Sequence, residues 1–111
     1  MRVAIAITSN ATEIFTGYFG HAPFFAVYEK RNSGWQRIEL RNNPYQALEG
    51  GGKGRLLSRL LADCEVWVGV KFGIDHTGEH DYSDRDVPPD RLRLIAAGTP
   101  LKEVLASLDL P

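Results

Sequence analysis

The side chains best able to bind a metal or do acid–base chemistry fall in four places along the 111 residues. The densest is Asp75-His76-Thr77-Gly78-Glu79-His80-Asp81, with two of the three histidines beside three carboxylates. It reads His-x-x-Glu-His, the inverted zinc-protease spacing, in which a helix turns both imidazoles to one metal. Gly78 and the flanking aspartates oppose a helix. Two readings stand: a loop holding one metal ion through His76 and His80, with Asp75, Glu79 or Asp81 completing the shell, or a solvated acidic loop. His21 follows Phe19-Gly20 at the entry to an apolar segment. From there a neutral imidazole can ligate iron, or it can cap the strand through a backbone hydrogen bond. The lone cysteine, Cys64, shares a helical spacing with Leu57, Leu60 and Leu61, so core packing is its expected role and a thiolate ligand the alternative. One cysteine cannot hold a four-thiolate cluster. Finally, Gly50-Gly51-Gly52-Lys53-Gly54 offers backbone N–H groups ahead of a helix, where an anion could dock with Lys53 or Arg55 adding charge. It is not a nucleotide-binding P-loop, because Gly54 follows the lysine and no strand leads into the run.

These residues need elements to carry them. Residues 2–8 (RVAIAIT) have the unbroken apolar character of a strand buried on both faces. A polar loop, 9–20, follows. Residues 23–30 and 35–41 predict a hairpin about Arg31-Asn32-Ser33-Gly34, which has turn chemistry. In its second strand Trp35, Arg37, Glu39 and Arg41 alternate with Gln36, Ile38 and Leu40, so an edge position with one polar face is expected. Asn42-Asn43-Pro44 closes the hairpin. Leu56, Leu57, Leu60, Leu61 and Cys64 give the stripe of a helix, followed by an interior strand at 65–70. Residues 71–90 show no period and read as a long loop. A short strand at 91–96 precedes a closing helix with Thr99 as N-cap, Pro100 at its first position and Glu103 in its first turn. The order β, hairpin, α, β, loop, β, α predicts one α/β domain spanning 1–111, a mixed sheet with packed helices.

Composition narrows the function. The formal net charge is -1, from 13 basic and 14 acidic residues, and the basic ones are scattered, so no nucleic-acid footprint is present. No apolar run approaches the ~20 residues that span a bilayer, and the start MRVAIAI is too short for a signal peptide. A cytoplasmic protein without a membrane or nucleic-acid partner is expected.

Several segments resemble a known family. They are VAIAITSN, the block Phe15–Glu29 (FTGYFGHAPFFAVYE) with its Phe19-Gly20-His21-Ala22-Pro23 core, and Asn43-Pro44. The stretch GGKGRLLSRLLADCEVWVGVKFG and the ending LIAAGTPLKEVLASL match too. The chain resembles the dinitrogenase iron–molybdenum cofactor biosynthesis family. That resemblance implies a ribonuclease H-like fold with a mixed five-stranded sheet, and binding of an iron–sulfur or iron–molybdenum cofactor precursor without catalysis. It also implies partners among metallocluster assembly proteins or nitrogenase components. The implied cofactor-binding positions are Tyr18, Phe19, Gly20 and His21, joined by Gly52 and Lys53, with Phe15, Tyr18 and Phe19 shielding the cargo. Two features depart from the family pattern. Tyr18 stands where members often carry histidine, and the polar loop after the fourth strand stands where they usually have a helix.

Three functions therefore compete. The first is a carrier with His21 as ligand, loop 74–81 folding over or adding a second one. The second is a small metal-dependent hydrolase using His76, Glu79 and His80. The third is a ligand-free interaction or regulatory domain that homodimerises through the hairpin edge. A ribonuclease H-like nuclease is disfavoured, because the first strand offers no carboxylate for metal ions.

Overall fold

The computed structural model describes residues 1–10, 12–32, 34–48, 53–72 and 91–108. Within them the chain forms β1 (Arg2–Ile7), a 3-10 turn (Phe19–His21), β2 (Phe24–Arg31), β3 (Gly34–Asn42), α1 (Lys53–Leu60), β4 (Val66–Gly69), β5 (Leu92–Leu94) and α2 (Leu101–Ser107). The five strands make one mixed sheet in the order β3-β2-β1-β4-β5, so the expected α/β class with a five-stranded mixed sheet is found. β2 pairs antiparallel with both β1 and β3, whereas β4 is parallel to β1 and β5 to β4. The apolar β1 thus lies at the centre, and its alternate residues serve two cores. Ala4 and Ala6 join Phe25, Val27 and Trp67 beneath Leu57 of α1 and Leu61 just after it. Val3, Ile5 and Ile7 join Ala26, Val66 and Val68 beneath Val104 of α2. A strand covered on both faces has no polar side to spare, which is why its sequence reads as a continuous apolar run.

Four expectations are corrected. β3 is an edge strand, as read, but its register slips opposite Val27 and Tyr28. The resulting bulge at Ile38 turns the strand over. Arg37 lies on Tyr28 of one core face, while Arg41 reaches the end of α1 on the other, so the four alternating residues do not share a face. The closing helix has Pro100 as its N-cap, not Thr99. The Thr99 hydroxyl donates back to the Ala96 carbonyl (2.7 Å) and is thereby withdrawn from the helix. α1 stops at Leu60, so Cys64 lies beyond it in a turn, where its N–H donates to Leu61 O at 3.0 Å. The expected strand at 91–96 also shortens to Leu92–Leu94, which pairs with Trp67, Val68 and Gly69 of β4.

The end of α1 is clamped to the sheet by charge. Arg41 donates to the Leu60 carbonyl (2.8 Å), one of the carbonyls a helix end leaves without an internal partner, and to Asp63 (2.9 Å) and Glu39 (2.7 Å). Arg2 donates to Asp63 (2.8 Å) and Glu29 (2.9 Å) from β1. Hydrogen bonding by Arg41, then by Arg2, outweighs the cost of partial burial and holds the Asp63 carboxyl far below the usual range. A carboxyl whose folded pKa is depressed stabilises the fold above its unfolded value, about 3.9, and that stability is lost as pH falls toward the folded value. Acid unfolding between about pH 4 and 2 is therefore expected to flatten in Asp63→Asn. Chemical denaturation across that range measures it, and an unchanged acid limb would remove Asp63 from the account.

Candidate functional site

The turn Phe19–His21 sits where the C-terminal ends of the parallel strands converge. Burial fixes it from below. Phe19 is fully buried, stacked on Trp67 (5.4 Å between centroids, 5° between planes) and packed on Phe25 (4.8 Å) and Phe72 (4.9 Å). Gly69 makes room for the ring: a Cβ there would lie 3.0 Å from Phe19 Cδ1. The segment just after β4 pins the turn on one side, with Phe19 N–H donating to Lys71 O at 2.7 Å and a parallel bridge between Tyr18 and Lys71.

The loop after β3 pins the other side. Asn43 is a buried polar residue whose amide Nδ2 donates to both Gly20 O (3.0 Å) and Ala22 O (2.8 Å). Its Oδ1 accepts from Tyr45 N–H (3.0 Å), and its own N–H donates to Pro23 O (3.1 Å). His21 completes the tie: Nδ1 lies 2.8 Å from the Gln46 carbonyl. A carbonyl only accepts, so Nδ1 carries the proton of this contact. This is how metal-binding imidazoles are commonly oriented, by a carbonyl on the opposite nitrogen.

The surface above these ties is aromatic and cationic. Tyr18 is about half exposed, at 48%, with its ring edge-on to His21 at 6.4 Å and 68°. The Lys71 ammonium lies 5.8 Å from the Tyr18 ring centroid. Of the residues expected to meet a cofactor, Tyr18 and His21 are brought together at the surface. Phe19 and Gly20 lie beneath as buried supports, so Phe19 serves the core and does not shield a cargo. Lys53 opens α1, which packs beside the turn. Gly52, His76 and His80 fall outside the described residues, as do Asp75, Glu79 and Asp81.

Cys64 is buried in the core with Leu57 and Leu61. Burial, and then the neighbouring Asp63 charge, push its thiol pKa up to about 12. A thiolate there is disfavoured, which resolves the choice between ligand and core in favour of core. Among the described residues no group of three or more His, Cys, Asp or Glu converges to hold a bare metal ion. A cleft of about 270 Å³ opens elsewhere, between Thr12–Thr16 and Gly98–Leu101, and among the described residues Glu13 is its only ionisable lining group.

A family model described as dinitrogenase iron-molybdenum cofactor matches residues 1–78, more than half of the chain. The chain belongs to the dinitrogenase iron-molybdenum cofactor family. The matched stretch contains β1 to β4, the Phe19–His21 turn, Asn43 and Lys71, while β5, α2 and the ending LIAAGTPLKEVLASL lie beyond it. Membership relates the protein to the iron–molybdenum cofactor and to nitrogen fixation. No curated protein and no solved structure matches the chain. No helix among the described residues is long and apolar enough to cross a membrane.

Sequence reasoning missed three members of this site. Asn43 reads in sequence as the end of a hairpin and as part of the family resemblance, not as a residue that holds the His21 turn. Gln46 acts through its backbone, which no sequence pattern marks. Lys71 looked like the first residue of a polar loop.

Proposed function

We propose that the protein is a non-catalytic carrier for an iron–sulfur or iron–molybdenum cofactor precursor, built as one ribonuclease H-like domain. It would pass that cargo between metallocluster assembly proteins or nitrogenase components. The observation that carries the reading is the His21 imidazole, oriented through Nδ1 by Gln46 O (2.8 Å) at the C-terminal edge of the sheet. One imidazole without a thiolate beside it suits a preassembled cluster, which brings most of its own ligands, better than a bare ion needing four. The order β3-β2-β1-β4-β5, with β2 alone running against the other strands, supports the fold assignment. Family membership supports the cargo class.

Anaerobic reconstitution with iron, sulfide and molybdate, followed by desalting, visible absorption and metal analysis, tests this reading. Wild type should retain a metal–sulfur chromophore, and His21→Ala should bind at least roughly tenfold more weakly, as loss of a ligand requires. Cys64→Ala should lose stability yet load normally, because the thiol is buried in the core. Equal loading by His21→Ala and wild type would sink His21 as the ligand.

A further inference from the structure

We infer that Lys71 is the electrostatic anchor for the cargo, which makes that cargo an anion recognised by charge as well as by ligation. This rests on the carrier reading above. Sulfide-bridged iron or molybdenum clusters with sulfide, thiolate or carboxylate termini carry net negative charge. A site with one imidazole needs a second contact to hold such a species in one orientation.

The geometry supplies it. Lys71 is exposed, and its ammonium lies over Tyr18, whose ring meets His21 in turn. The backbone of Lys71 is fixed to the same turn by the 2.7 Å bond from Phe19 N–H and by the Tyr18 bridge. The ammonium is thus tethered over the Tyr18 ring, the same ring that meets His21, and the aromatic face favours a cation at that place. The arginines Arg2, Arg31 and Arg41 spend their charge on Glu29, Asp63 and Glu39. Among the described residues Lys71 forms no such pair, so its charge faces solvent and whatever docks there. Tyr18 gives this lysine its platform, with its ring edge toward the His21 imidazole.

The test is a titration of the protein with the reconstituted iron–molybdenum–sulfide species at low and high ionic strength. Lys71→Gln and Lys71→Glu should weaken binding at low salt, the reversal by about 5–10-fold, which is the scale of one solvent-exposed charge contact. The deficit should shrink as salt shortens the screening length. Lys71→Arg should bind as wild type does. Lys102→Glu, the same charge change on α2 across the sheet, should leave binding unaltered. A purely structural role for Lys71 would not produce that salt dependence, and thermal melting verifies that each variant is folded. If wild type loads and Lys71→Glu loads equally at low salt, Lys71 is not the anchor and the carrier reading stands. Equal weakening by Lys71→Glu and Lys102→Glu would show an effect of net charge and overturn the inference. Failure of wild type to load overturns both readings.

Discussion

Asn43→Ala is expected to destabilise the protein by about 2–4 kcal/mol and to abolish metal–sulfur loading even where the fold survives. The reason is an accounting of buried polar groups. One amide serves the carbonyls of Gly20 and Ala22 on either side of His21, while its oxygen holds Tyr45 N–H at the start of the turn that carries Gln46. Alanine leaves two buried carbonyls without this donor and loosens the loop that orients the imidazole. Each orphaned group costs on the order of 1–3 kcal/mol, and relaxation toward water recovers part of it. Asn43→Asp separates the two roles. The carboxylate can still accept from Tyr45, but it has no N–H to donate and sets a negative charge against two carbonyls. It should therefore be at least as damaging as alanine. Urea unfolding reads the stability, and reconstitution at a temperature well below the midpoint reads the loading. An Asn43→Ala protein that loads like wild type would show that the turn holds its shape without the amide.

Much of the fold was legible because its signals are redundant. β1 must be buried on both faces to satisfy so apolar a run, and the hairpin is announced by Asn32, which takes the left-handed conformation (φ 52°) that asparagine tolerates. What stayed hidden depends on partners far along the chain. The bulge at Ile38 inverts the second half of β3, so a period-2 count made from sequence assigns Glu39 and Arg41 to the wrong face. Thr99 has the right chemistry for a cap, yet its hydroxyl finds Ala96 O first. The candidate site divides the same way. His21 could be singled out by residue type and by its place after a glycine. Its role depends on Gln46 O and Asn43, which are 25 and 22 residues away in the chain, and no local pattern reports such a contact. Phe19, beside it, looked like part of a binding surface because an aromatic residue in a loop reads the same whether it faces in or out.

Phe19 is therefore the strongest link between stability and site geometry. Phe19→Ala is expected to cost about 3–5 kcal/mol, the range for emptying a fully buried aromatic position. The cavity would open beneath Tyr18 and His21, between Trp67, Phe25 and Phe72. The facing glycine supplies an independent check. Gly69→Ala puts a methyl 3.0 Å from Phe19 Cδ1, and a ring enclosed by three aromatic neighbours has little room to retreat, so a cost of about 1–3 kcal/mol is expected. If that cost arises from this contact, it must depend on the ring. In a Phe19→Leu background, where the smaller side chain leaves space, Gly69→Ala should be nearly neutral or should recover stability by filling the void. The coupling between the two changes would then be on the order of 1–2 kcal/mol, as for residues in direct contact. Additive losses in the double mutant would mean that Gly69 is needed for the backbone of β4 and not for the seat of Phe19.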